Sequence, residues 1–256
     1  MKINKSAAGL GVDRGVYDAD LYDGMNTFTY DIPFYLKECR RAKGPALELC
    51  CGSGRLTLPL LKAGIDITGV DFTPAMLAAA RKKAAEQGLP NVFLRGDMLK
   101  IRLKKKFRFV FIPFSSIQNI YTLEDIEKVF ETVRAHLAPG GRFAFDIFSP
   151  SIEYMAKMAK LHKGVARFRT PKGREVTVDE ICRYDPASQV NRATWLLHID
   201  GGGPVPQKLD MRCFYPLEMD ALLKYNGFEV LNKFGDYSGK PFSSESKKQV
   251  FVCRRA

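Results

Sequence analysis

The sequence predicts an α/β protein built on a doubly wound, mostly parallel sheet. Three observations predict it. A short apolar strand runs directly into a two-glycine turn and then a helix pattern, from Ala46 to Thr57. Four more strand-like runs alternate with helix-like ones as far as Phe148, the rhythm of βαβ units. Two final runs, 228–234 and 248–253, are joined by a connection too short for a crossover helix, so they are expected to pair antiparallel.

The elements follow in order. Residues 1–16 read as disordered or loosely docked. Residues 17–42 read as one or two short helices, with Pro33 in a first turn and Asp31 near its cap. Gly44-Pro45 ends that segment and launches a strand over 46–50. Gly52 and Gly54 let the backbone turn tightly and approach a ligand, having no Cβ. A helix then runs to about Ala63 and closes at Gly64. A second strand, 65–70, ends in Asp71; Thr73 caps and Pro74 opens a helix over 74–87. Strands are expected at 91–95, 107–114 and 142–148, with a helix at 122–137 ended by Pro139-Gly140-Gly141.

After Ser149-Pro150 the rhythm changes. Residues 151–163 are helix-like. Three alternating runs follow, 175–184, 189–199 and 207–215, joined by turn-rich tetrapeptides. They predict an antiparallel β insertion of about 151–215. A helix at 217–226, closed by Gly227, then returns the chain to its α/β rhythm.

Composition bounds the function. A chain of 256 residues, 46% hydrophobic, can bury a core as one domain. No apolar run approaches the roughly 20 residues that span a bilayer. Met1 to Val16 holds no apolar signal core, so a cytoplasmic location is expected. Six cysteines lack CxxC spacing and read as reduced thiols rather than metal or redox ligands. The net charge is +12, clustered at 100–108 and 157–174 with no acid in either stretch. Each cluster is either a solvated basic face or a site for a polyanion or acidic ligand.

Four motifs carry a family resemblance. Glu48-Leu49-Cys50-Cys51-Gly52-Ser53-Gly54 resembles the first motif of class I S-adenosylmethionine-dependent methyltransferases. Gly69-Val70-Asp71-Phe72-Thr73-Pro74-Ala75-Met76-Leu77, Arg95-Gly96-Asp97-Met98 and Leu137-Ala138-Pro139-Gly140-Gly141 resemble the next three, in order. The nearest subgroup resembles sugar and peptide N-methyltransferases with a small β insertion. The resemblance implies a Rossmann-like seven-stranded sheet with an antiparallel last strand, the insertion covering the active site, and S-adenosyl-L-methionine as cofactor.

It also implies roles. Glu48 helps fix the methionine end of the cofactor, or caps the turn. Cys50, Gly52 and Gly54 lay main chain against it. Asp71 accepts the ribose hydroxyls. Phe72 lies along the adenine, and Met76 of the same motif also binds the cofactor. Asp97 accepts the adenine amino group beside the Met98 N–H. Arg55 either pairs with the cofactor carboxylate or lies on a helix surface. Pro113, at the end of the fourth strand, is expected to bind the cofactor as well. A nicotinamide dinucleotide is disfavoured, because its fingerprint wants a third glycine where Thr57 stands.

The acceptor is expected beyond the fourth and fifth strands, near Phe114, Ser115, Ser116, Gln118, Asn119 and Asp146. Tyr17 and Tyr22 are expected to form a lid, with Tyr215 facing the same cavity; Tyr17, Tyr22, Asn119 and Tyr215 are the catalytic candidates. Related sugar enzymes carry a His where this chain has Asn119, which argues against O-methylation through a His base and favours an amine in a small molecule or peptide. Nucleic acid is the alternative acceptor, although Ile112-Pro113-Phe114-Ser115 lacks the amide or acid of base-flipping enzymes. A cofactor-binding regulator is the non-enzymatic alternative. A monomer or homodimer without metal or membrane partner is expected.

Overall fold

The computed structural model describes residues 11–157 and 159–256, with the side chain of residue 14 excepted. The reading of residues 1–10 therefore lies outside the described residues. The chain divides into two compact units. One comprises 28–117, 123–149 and 214–256; the other comprises 11–27, 118–122 and 150–213 among the described residues.

The larger unit is the α/β sheet. Its strands are β1 (Ala46–Leu49), β2 (Ile67–Asp71), β3 (Phe93–Arg95), β4 (Phe107–Ile112), β5 (Leu137–Phe148), β10 (Phe228–Phe234) and β11 (Lys248–Arg255). They lie in the order β10-β11-β5-β4-β1-β2-β3. β11 pairs antiparallel with both neighbours, as expected, and the other pairings are parallel. From β1 the chain continues outward to β2 and β3, then returns to β4 on the opposite side. That reversal makes the carboxyl ends of β1 and β4 the topological switch point, where open α/β sheets bind ligands.

The helices of this unit are α2 (Ile32–Ala42), α3 (Thr57–Lys62), α4 (Pro74–Glu86), α5 (Leu123–His136) and α7 (Pro216–Tyr225). Every residue of β1 is buried, as a strand covered on both faces requires. On one face Tyr35 of α2 stacks on Phe111 of β4 at 4.9 Å, and both are fully buried. Each such side chain contributes roughly 1.5–3 kcal/mol of burial.

The smaller unit holds α1 (Ala19–Met25), α6 (Ile152–Lys157) and an antiparallel sheet, β6 (His162–Arg169), β7 (Glu175–Asp185), β8 (Val190–Ile199) and β9 (Val205–Arg212), in that order. Leu21 and Met25 of α1 pack on Val176, Val178 and Leu197 of this sheet. α1 starts at Asp18, whose carboxylate accepts the N–H groups of Asp20 and Leu21, each at 3.0 Å.

The structure corrects three readings. Residues 151–163 are not one helix: α6 stops at Lys157 and a fourth strand, β6, begins at His162. Its faces alternate only between half-buried and exposed, and Gly164 and its charges mask the period of two. Thr73 holds the N-cap position of α4 without a side-chain capping bond; the carboxylate of Asp71 takes its N–H instead, at 2.8 Å. β5 begins at Leu137, before the glycine pair, with a register shift between Phe107 and Phe109 of its partner. Among the described residues no helix is long and apolar enough to cross a membrane.

Candidate active site

The site is built on the loop that follows β1. Cys50, Gly52 and Gly54 all take left-handed backbone angles, with φ of 63°, 53° and 84°. The two glycines do different work. A Cβ on Gly54 would lie 3.2 Å from Leu58 and from Phe93, so this glycine permits packing. A Cβ on Gly52 would meet nothing within 4 Å, so this glycine faces open space. Cys50 bears the left-handed turn with a side chain, at a cost of about 1–2 kcal/mol. Its sulfur lies 3.4 Å from that of Met98.

Carboxylates tie the loop to the strand ends. Glu48 is 2% exposed and accepts the Thr57 hydroxyl at 2.5 Å; burial raises its pKa to about 8. Asp71, 7% exposed, accepts the Gly52 N–H at 2.9 Å with one oxygen and the Thr73 N–H with the other. Burial raises its pKa, and those N–H groups oppose the rise. The Gly96 N–H donates to the Asp71 carbonyl at 3.0 Å, which brings Asp97 alongside. Asp97 accepts the Leu99 N–H at 2.9 Å and keeps a partly exposed carboxylate. Phe72 is 53% exposed and so is not a core residue, while Met76 and Pro113 are buried.

Beyond β4 the chain makes a second unusual turn. Phe114 and Ser115 are both left-handed, with φ of 56° and 57°. Asp146 of β5, fully buried, holds them there. Its carboxylate accepts the Phe114 N–H at 2.7 Å and the N–H and hydroxyl of Ser115 at 3.2 Å. It also accepts the Tyr35 hydroxyl and pairs with Lys248, both at 3.1 Å. Asp146 is thus a buried anchor for the turn. Arg55 pairs with buried Asp31 through two hydrogen bonds of 2.8 and 2.6 Å. Its guanidinium lies 4.2 Å from the Phe28 ring and 5.3 Å from the Phe114 ring. Arg55 is therefore not on a helix surface. Tyr30, largely exposed, stacks on Phe28 at 4.8 Å.

The acceptor candidates fall in both units. Tyr17 ends a short 3-10 helix, Arg14–Tyr17, and Tyr22 lies on α1, both in the smaller unit. Asn119 ends a second such helix, Ser116–Asn119, and belongs to the same unit. Tyr215, in the larger unit, precedes α7, and its N–H donates to Glu218 at 3.1 Å. Sequence reasoning missed Phe28 and Tyr30, although the spacing Phe28-x-Tyr30 before α2 was a usable signal. It also missed the anchoring role of Asp146.

Five of the six side chains of the first basic cluster are engaged locally. Lys100, Arg102 and Lys105 pair with Asp97, Glu131 and Asp66. Lys106 and Arg108 donate to the carbonyls of Ala135, Ala42 and Pro139. In the second, Arg169 and Arg174 pair with Glu175 and Asp20. All six cysteines are free thiols.

Comparisons with known proteins place the chain in a family. A family described as "Methyltransferase domain" matches residues 46–141, which span the glycine loop through the start of β5. A putative methyltransferase, YqeM, of Bacillus subtilis is 33% identical over 219 residues, covering 84% of this chain and 85% of that protein. The CcbJ methyltransferase of Streptomyces caelestis superposes with a TM-score of 0.77 at 23% identity, covering 95% of this chain and 99% of its own. CalS10 of Micromonospora echinaspora, an amino pentose methyltransferase solved with S-adenosylmethionine bound, superposes with a TM-score of 0.69 at 24% identity, covering 94% and 97%.

Proposed function

The chain belongs to the class I S-adenosylmethionine-dependent methyltransferases, and from that premise we propose that its acceptor is an amine carried by a small molecule or peptide. The residues present fit the cofactor. Gly52 presents open space at a left-handed turn, Phe72 presents an exposed ring, and Asp97 a partly exposed carboxylate. In this reading Asp71 and Asp97 hold its hydroxyl and amino groups and the loop from Cys50 to Gly54 takes its methionine end, with Glu48 bracing that loop through Thr57. When bound, the cofactor supplies a methyl group already activated on a sulfonium.

The protein's remaining task is orientation and exclusion of water, which account for much of the barrier lowering in such displacements. The observation that carries the amine reading is the turn after β4. Residues 113–119 contain no acid, histidine or lysine, and the adjacent Asp146 is fully buried with its oxygens already bonded. A hydroxyl acceptor needs a base within hydrogen-bond reach. An amine needs only to arrive unprotonated. The amino-sugar substrate class in CalS10's name is consistent with this reading. Tyr17, Tyr22, Asn119 and Tyr215 are proposed to orient the acceptor, and the insertion to select it.

The test is transfer of labelled methyl to a panel of primary and secondary amines, each paired with its hydroxyl analogue. The amines are expected to be methylated and the analogues not. With no protein base, kcat/KM should rise about tenfold per pH unit up to the pKa of the amine itself. Equal use of the hydroxyl analogues would contradict the proposal.

A further inference from the structure

Within the insertion sheet one carboxylate is held by three side-chain donors. Glu180 lies on the same face of β7 as Val176, Val178 and Cys182, by strand alternation. Its neighbours across the sheet are His162 on β6 and Trp195 on β8. Three groups donate to it: the Trp195 indole N–H to Oε2 at 2.5 Å, and the Tyr154 hydroxyl of α6 and the Cys182 thiol to Oε1, each at 3.1 Å. The His162 ring bonds instead to the Lys157 carbonyl at 2.9 Å.

All three donors are neutral. Among the described residues no lysine or arginine forms an ion pair with Glu180, in a chain with 40 basic and 28 acidic side chains. Glu175 pairs with Arg169 and Asp185 with Arg192, whereas Asp179 bonds to the His198 ring and Asp210 accepts the Gly11 N–H at 3.1 Å. A half-buried carboxylate without a counter-ion is an expensive arrangement. Three neutral donors orient the charge without cancelling it. A carboxylate offers about four lone-pair sites, and three are filled, with room on Oε2. Beside it stand an indole and an exposed phenol ring, both turned to it edge-on through their donors. A carboxylate with an open lone pair and no cationic partner is the group that an organic ammonium ion requires.

We propose that Glu180, Trp195 and Tyr154 form a binding site on the insertion for an ammonium group of an amine-bearing acceptor, distinct from the nitrogen that receives the methyl, which reacts unprotonated. This rests on the amine reading above. Glu180 supplies the charge and the open lone pair. Trp195 and Tyr154 fix the carboxylate's orientation.

Trp195 is the chain's only tryptophan, so its fluorescence reports on this site alone. The experiment titrates the full chain at neutral pH with glucosamine and with glycinamide, against glucose and acetamide at matched ionic strength. A saturable change in Trp195 emission is expected with the two ammonium compounds and not with the neutral ones. Glu180→Gln should weaken that response at least tenfold. Glu180→Asp, which keeps the charge but withdraws it by one methylene, should also weaken it, and Glu175→Gln, at an exposed acid of the same sheet, should not. Cofactor-induced thermal stabilisation, unchanged in each variant, verifies the fold. Equal responses to charged and neutral compounds, no saturable response to either ammonium compound, or undiminished response in both Glu180 variants would overturn the proposal. The two readings fail separately. Amine methylation with a silent Trp195 sinks only this site, whereas an ammonium response with methylation confined to hydroxyls sinks only the amine reading.

Discussion

Glu48 is a carboxyl group held away from water at the foot of the glycine loop, and its pKa of about 8 reports that burial. In the unfolded chain a glutamate titrates near ~4.3. The folded value is the higher one, so this group's contribution to stability is fully present below about 4.3 and is lost as pH rises towards about 8. Glu48→Gln removes the penalty at high pH. Wild type should therefore lose stability relative to Glu48→Gln between about pH 4.5 and 8, by on the order of 2–5 kcal/mol. Urea denaturation of both proteins at the two ends of that window measures it; parallel pH profiles would contradict it. Much at this scale was legible in the sequence. Gly52, Gly54 and Asp71 lie where a local constraint dictates the residue type, a turn that needs freedom or a strand end that needs an acceptor. The Arg55–Asp31 pair was not legible, because 24 residues separate its members and nothing local distinguishes Asp31 from an ordinary helix cap.

At the scale of elements, the turn after β4 is held from β5. Two consecutive left-handed residues are unfavourable unless the surroundings fix them, and Asp146 does so with bonds to both backbone N–H groups. Asp146→Ala should destabilise the protein by about 3–5 kcal/mol, since it also leaves Lys248 facing a buried gap. Asp146→Asn should cost less. Denaturant titration separates the two, and a loss below about 1 kcal/mol for Asp146→Ala would refute the anchoring role. In the insertion, Arg174 holds buried Asp20 of α1 through Nε at 3.0 Å and Nη2 at 2.6 Å. Arg174→Ala should destabilise this unit by roughly 1–3 kcal/mol, read as faster hydrogen exchange in α1 and β7. Unchanged exchange would show the pair to be dispensable. The sheet strands and α2 to α5 were legible because apolar runs and Gly/Pro punctuation agree. β6 was not, because a strand whose exposed face is lysine and arginine and whose covered face is only half-buried shows no apolar alternation.

At the scale of the molecule, the charge of +12 invites a nucleic-acid reading that the first basic cluster does not support. Lys100, Arg102 and Lys105 pair with nearby acids, and Lys106 and Arg108 bond to carbonyls. Binding to a generic duplex RNA should therefore be weak, with a log–log salt slope of magnitude below about 2. A steep slope in a filter-binding titration would restore the polymer reading. The central claim is that the loop from Cys50 to Gly54, braced by Asp71, holds S-adenosylmethionine. Calorimetric titration of the cofactor into wild type and Asp71→Ala tests it most directly. The expected result is saturable one-to-one binding by wild type, weakened at least tenfold, about 1.4 kcal/mol, in the variant. The contradicting result is no binding by wild type at millimolar cofactor, or equal affinity in both proteins.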